Sequence, residues 1–408
     1  MRRFSLAAPL VVLALLAGDR PARGQSYGVD VHNTINPASG GLAGVSLARP
    51  QDVPSAVFGN PATLARFEGS QFTIGGAWSE PSFNVTHDGA VTGAAFSGKS
   101  SSQGCLLPTV GVIQDLSAIN VPGSVGVGIT ALSGISEQLT AQPGSLGTHS
   151  EYLVLGLNLG AGVDVTERLA LGASLTLGDG YTGGGFVHNS VVTHDYGLSG
   201  SFGAGYELTP YTTVGAYYQT RMPLRYDNLL FLMPPGVFVD LEVEQPNNVG
   251  FGIANNSLMC GDLLLACDVI FKNWDNCDYW RDLYDDQWIF AVGSQLTLGR
   301  WKFRLGYSYS DSPIDSDPGA AINGIPVGQA VVEYYQATQA GVISEHRLTG
   351  GIGYDDFLPG VSFDLFAGGL FPTSEQFGEH TSASLDIWYI GGGVTWRFGQ
   401  RECCEVIN

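Results

Sequence analysis

The chain offers few groups that could do acid–base or nucleophilic chemistry. Its histidines are His32, His87, His149, His188, His194, His346 and His380. His346 alone falls inside a clear strand-like run, beside Glu345, and a lone histidine there is more often structural than catalytic. The sequence contains no Gly-x-Ser-x-Gly and no His-Glu-x-x-His, the spacings that build a serine nucleophile or a zinc-bound water. The cysteines, Cys105, Cys260, Cys267, Cys277, Cys403 and Cys404, fit no zinc pattern; disulfides and incidental thiols both stay open. "WDNCDYWRDLYDD" (274–286) and "DSPIDSDP" (311–318) are rich in hard oxygen ligands but lack EF-hand spacing, and read as solvated loops. No metal site, cofactor or enzymatic site is expected.

What remains is binding chemistry. Arg221, Arg225, Lys302, Arg304 and Arg347 fall at inward, polar positions of alternating runs. Arg304 and Arg347 are candidate partners for a ligand carboxylate, unless Asp268 and Asp364 neutralise such groups in a structural network. In "DNLLFLMPPGVF", Leu229, Leu230, Phe231, Leu232 and Met233 form an apolar run at a loop tip. Such a patch marks either a landing site for an apolar ligand or packing against a neighbouring loop or lipopolysaccharide.

The elements that must carry these residues alternate with period two. In "GRWKFRLGYSYSDS", Trp301, Phe303, Leu305, Tyr307 and Tyr309 share one face, and Lys302, Arg304, Gly306, Ser308 and Ser310 the other. In "LDIWYIGGGVTWRF", Trp388, Ile390, Val394, Trp396 and Phe398 oppose Leu385, Ile387, Tyr389, Thr395 and Arg397. Fourteen such runs are expected, near 70–86, 105–115, 122–135, 151–164, 167–178, 196–208, 211–226, 237–256, 262–274, 287–298, 300–312, 344–355, 361–372 and 383–398. Short connections such as "DVTER", "ELTPY", "LGRW" and "DDFLPG" alternate with long ones, the rhythm of periplasmic turns and outer loops.

Composition agrees. The net charge of -20 argues against nucleic acid. Yet 44% of residues are hydrophobic, 14% are charged and 57 are glycine, which suits an exported barrel better than a soluble acidic protein. Arg2 and Arg3, the apolar stretch from Leu6 to Ala17 and the small residues around Ala22-Arg23-Gly24 predict a signal peptide over 1–24. Residues 25–69 do not alternate and read as a leader or a plug. Residues 70–398 form the barrel, and 399–408 a tail beyond the last-strand aromatic Phe398.

"GLAGVSLARPQDVPSAVFGNPATLARFEGSQFTIGGAW", "LLPTVGVIQDL" with "GVGITALSGISEQL", "EQPNNVGFGIANN" with "LLACDVIFKNW", and "WKFRLGYSYSDSPI" together resemble the long-chain fatty-acid transporter family of outer-membrane proteins, the FadL/TodX type. The resemblance implies an all-β, fourteen-stranded antiparallel transmembrane barrel with an N-terminal hatch, carrying the family's signature at Asn60, Pro61 and Ala62. It implies uptake of hydrophobic small molecules, long-chain fatty acids or hydrocarbons, and sideways release through a kinked third strand at Leu132, Ser133 and Gly134. It also places Tyr27 where the family has an aromatic residue reaching into the pocket. The expected partners are that ligand, outer-membrane lipid and lipopolysaccharide, with the protein a monomer. The sequence departs from the family in "DGYTGGGFVHNSVVTHD" (179–195), short and glycine-rich where fatty-acid members have a helical loop, and in lacking a basic residue in strand five. A structural or adhesive barrel and a barrel lipid hydrolase are the other readings.

Overall fold

The structure is a computed structural model that describes residues 33–184, 193–232, 237–339 and 344–398. Fourteen strands form one closed antiparallel barrel. They are β1 (Ser70–His87), β2 (Cys105–Asp115), β3 (Gly123–Gln138), β4 (His149–Asp164), β5 (Leu169–Gly184), β6 (Thr193–Thr209) and β7 (Thr212–Gln219). The series continues with β8 (Asn247–Leu258), β9 (Leu263–Asn273), β10 (Gln287–Leu298), β11 (Trp301–Ser310), β12 (His346–Leu358), β13 (Val361–Phe377) and β14 (Thr381–Phe398). Each strand pairs with its neighbours in the chain, and β1 closes on β14 from Ser70↔Phe398 to His87↔Thr381.

The alternation read in the sequence sets which face is which. On β11, Trp301, Phe303, Leu305 and Tyr307 are exposed while Arg304, Gly306, Ser308 and Ser310 are buried. An outward apolar band flanked by aromatic side chains is how a barrel meets hydrocarbon. Trp301 against Tyr354 (4.6 Å) and Phe72 against Trp396 (5.5 Å) lie toward one rim. Phe271 against Trp288 (4.9 Å) lies toward the other.

One end is built from tight turns, where the left-handed φ of Gly299 (63°) and Gly360 (74°) lets the chain reverse within two residues. The other end carries the long connections. There the sequence reading needs correcting. The runs expected at 211–226 and 237–256 are not two continuous wall strands. β7 stops at Gln219 and β8 starts at Asn247, and between them Arg225–Leu232 pairs with Val237–Glu242 as a separate hairpin. Pro223 and Pro246 flank this excursion, and proline cannot donate to a ladder paired on both sides. Leu229, Leu230, Phe231 and Leu232 therefore belong to a hairpin strand rather than a loop tip; Met233 lies outside the described residues. The connection between β11 and β12 holds a helix that alternation did not reveal, α1 (Gln329–Gln339).

At this end, His380 and Asp88 staple the β1–β14 seam. His380 Nδ1 lies 2.8 Å from Asp88 Oδ2, and the Asp88 amide donates to the His380 carbonyl at 3.1 Å. That bond raises His380 above the ordinary histidine value and lowers Asp88 below the usual carboxylate range.

Candidate functional site

Residues 33–66 lie inside the barrel, nearly all buried. They fold as short helical pieces: a 3-10 turn at Ser39–Leu42, a helix at Val53–Phe58 and a 3-10 helix at Pro61–Arg66. Asp52 organises the first part. Its carboxylate accepts from the Ala38 and Ser39 amides (2.9 and 2.8 Å) and caps the helix through the Ser55 amide (2.8 Å). Asn60 organises the second. Its Oδ1 accepts from the Ala62 amide (3.1 Å), capping the 3-10 helix that Pro61 opens with its fixed φ. Its Nδ2 donates to the carbonyls of Leu47 and of Ala204 on β6, each at 2.9 Å. Ala62 sits beneath, fully buried.

Further bonds tie this inner segment around the wall. Asp268 Oδ2 on β9 accepts from the Ser46 and Leu47 amides (2.7 and 3.0 Å). Thr349 on β12 accepts from the Ala43 amide (2.9 Å), and Thr109 on β2 donates to Asn36 (2.9 Å). Contact is close enough to demand glycine. A Cβ at Gly172 would collide with the Pro61 backbone, and one at Gly203 with the Asn60 side chain.

Toward the long-loop end the interior becomes an apolar core, in which residues such as Ile35, Tyr152, Val154, Leu224, Phe366 and Leu385 are buried together. Outer loops and α1 roof it. Trp280 stacks on Tyr284 (4.7 Å) and meets Tyr152 edge-on (6.3 Å), and the hydroxyls of Tyr279 and Tyr335 lie 2.6 Å apart. Glu244 locks two of the loops together. Its carbonyl accepts from Trp280 Nε1 (2.7 Å), its Oε2 from the Asp278 amide (2.7 Å), and its Oε1 meets Arg221 Nη1 at 2.9 Å. Burial pushes this carboxyl up, partly offset by that amide and that guanidinium. Cys277 is buried beside it, its thiol pushed up by burial.

The barrel wall around this core is interrupted at β3. The β2–β3 ladder runs from Asp115↔Ser124 to Thr109↔Thr130 and stops. Pro108, the next residue toward the long-loop end, has no amide hydrogen to offer. β3 itself continues to Gln138, paired on its other side with β4. There the register shifts between Ala131 and Ser133, so Leu132 is bulged, while Gly134 is buried and paired regularly with Leu153. β3 rejoins the first outer loop where the Ser101 amide donates to the Gln138 carbonyl (2.7 Å) and Ser102 Oγ meets Ser136 Oγ (3.3 Å). The stretch from Ala131 to Ile135 left between these anchors spans about 16 Å at strand rise. Immediately behind it is a cavity of about 50 Å³, bounded by Ile35 and Phe58 of the inner segment, Leu132, Met222 and Lys272.

Four of the basic residues read from the sequence, Arg221, Arg225, Lys302 and Arg304, are engaged by carboxylates. Arg304 is buried, with Nη1 2.6 Å from Asp364 and Nε donating to Gln295 (2.7 Å). Lys302 meets Asp355 (2.7 Å), and Arg225 meets Asp240 (2.9 Å). Arg221 and Arg225 stand in the outer excursion rather than in the wall. Arg347 is buried on β12, opposite Ser308 and Leu370. Arg304 is thus a structural group beside the inner segment, 60 residues in sequence from its partner. Tyr27 lies outside the described residues. No group of three or more His, Cys, Asp or Glu placed to hold a metal occurs among the described residues.

Two features escaped the sequence reading: the roof helix and Glu137. The bulge at Leu132 inverts the phase of β3, so the inward positions are even below it (Ser124, Thr130) and odd above it (Ser133, Glu137). Unbroken alternation would have put Glu137 outside.

This fold has solved counterparts. The fold is that of the FadL- and TodX-type transporters. The crystal structure of a Pseudomonas aeruginosa FadL homologue matches with a TM-score of 0.70 and 16% identity, over 93% of this chain and 100% of that one. The P. putida toluene transporter TodX matches at 0.65 and 17%, over 91% and 100%. The Ralstonia pickettii toluene transporter TbuX matches at 0.62 and 18%, over 90% and 100%. No protein-family model matches the sequence, and no curated protein does.

Proposed function

We propose that the protein is an outer-membrane channel that takes up hydrophobic small molecules and releases them sideways into the membrane through β3. The observation that carries this reading is the break in the β2–β3 ladder at Thr109↔Thr130, set against an apolar interior. A bilayer-embedded wall is sealed by its backbone hydrogen bonds, so an apolar solute crosses it only where they are interrupted. Residues 25–69 act as the hatch that closes the straight path, with Asn60, Pro61 and Ala62 as its anchor. The FadL homologue and the two toluene transporters lend support as proteins of the same fold. Because Arg304, Lys302 and Arg225 are already paired, hydrocarbons suit the interior better than fatty-acid carboxylates. Leu229 to Met233 serve as the landing surface, and Tyr27 as a displaceable stopper.

The test is delivery of a radiolabelled alkane into proteoliposomes, with a sugar as control. Uptake of the alkane without the sugar is expected; equal passage of both would reject the reading in favour of an open pore. Phe231→Asp should slow alkane uptake with little change in thermal stability.

A further inference from the structure

Above the bulge, β3 turns a carboxyl into the barrel interior. Glu137 pairs with Ser150, whose inward side β4 shares with Val154 and Tyr152. Glu137 is 3% exposed, and its Oε1 has no hydrogen-bond partner among the described residues. Across from it stands Tyr334 of the roof helix, held by Thr148 Oγ1 at 3.0 Å and packed edge-on against His87 at 4.8 Å. Burial pushes the Tyr334 phenol up, and the nearby Glu137 adds to that. A carboxyl oxygen removed from water and left without a partner is unfavourable, so its partner is to be sought in a ligand.

A second observation concerns the rim. The outer segments 274–286 and 311–318 hold eight aspartates against one basic residue, Arg281. Crowding by its neighbours adds to burial in holding Asp275 and Asp285 above the usual carboxylate range. Such a rim concentrates cations and repels anions. An anionic amphiphile would meet repulsion at the rim and, at Glu137, no cation to pair with; a cationic one would meet attraction at the rim and a carboxyl that it can hold ionised.

We propose that Glu137 is a specificity-determining residue that pairs with the ammonium group of a lipophilic amine whose apolar body lies among the buried apolar side chains of the interior. This rests on the uptake reading above and adds a ligand class to it. The ammonium supplies the charge and hydrogen bonds that the carboxyl lacks, and the aromatic faces of the roof favour a cation further.

The experiment measures binding of n-octylamine, n-octanoate and n-octane to the full chain in nanodiscs, for wild type and Glu137→Gln. Wild type is expected to bind octylamine at least about ten-fold more tightly than octanoate, a difference of roughly 1.4 kcal/mol. Glu137→Gln, nearly isosteric, should lose that preference while octane binding stays. Octanoate binding as tightly as octylamine overturns the proposal, as does an unchanged octylamine affinity in a folded Glu137→Gln protein. The wild-type comparison decides even if the variant fails to fold. Octane binding without amine preference leaves the uptake reading standing and this one refuted; amine binding that depends on Glu137 without octane binding does the reverse.

Discussion

The side chain of Asn60 donates to the carbonyl of Ala204, 2.9 Å away in the barrel wall. One residue thus caps a helix of the inner segment, ties that segment to itself at Leu47, and ties it to β6. Asn60→Ala removes all three bonds from a fully buried position and should destabilise the fold by about 2 kcal/mol. Asn60→Asp keeps the cap acceptor and loses both donors. Urea unfolding should rank wild type above either variant, and limited proteolysis should cut residues 33–66 faster in both.

Gly203→Val drives a branched side chain into Asn60. At Gly200, on the same strand, an added Cβ meets nothing nearer than the Ser174 carbonyl at 3.9 Å, which makes Gly200→Val the control. The first should lose roughly 1–3 kcal/mol of stability, as overpacking does, and raise the ion conductance of the channel in planar bilayers. The second should do neither.

Deleting Leu132 removes the extra residue that shifts the register of β3. Pairing with β4 would then run through without interruption, straightening β3 alongside β2 and narrowing the gap between them, and alkane delivery into proteoliposomes should fall about ten-fold or more, ~1.4 kcal/mol on the exit step. Gly134→Val is the milder change, because Gly134 already pairs regularly with Leu153. Undiminished delivery by the deletion variant would locate the exit elsewhere.

The Asp88–His380 staple fixes a pH window. A histidine whose folded pKa is raised stabilises fully below its ordinary value, and the gain is lost as pH rises through the raised one. A carboxyl whose folded pKa is lowered stabilises above its ordinary value, and that gain is lost as pH falls through the lowered one. The staple therefore holds from just above the ordinary aspartate value of 3.8 up to the histidine's ordinary 6.5. NMR titration of Asp88→Asn should show His380 moving down toward 6.5.

The barrel was legible because a wall between two environments writes its period into every strand. Trp301 to Ser310 needed no partner information to assign their faces. The runs at 211–226 and 237–256 misled because Arg225–Leu232 alternates just as well in a detached hairpin; period two reports a pleat, not its neighbour. Glu137 was hidden by one inserted residue, Leu132, which no local pattern announces. The roof helix was hidden because Val332, Tyr334, Gln336 and Thr338 are all buried, so it lacks the single apolar stripe that betrays a surface helix. Arg304 was recognised as inward, but whether Asp364 reached it depended on the register of β11, β12 and β13.

The seam between β1 and β14 joins two strands of 18 residues each. A chain interrupted anywhere before residue 381 lacks the second of them, and leaves the first with a bare ladder along its whole outer side. Such an edge is a template for pairing with another chain. Translation errors, premature release or clipping of the last strand would therefore produce not a weakened channel but an aggregation seed, which makes completion of β14 the step at which this molecule becomes safe to accumulate.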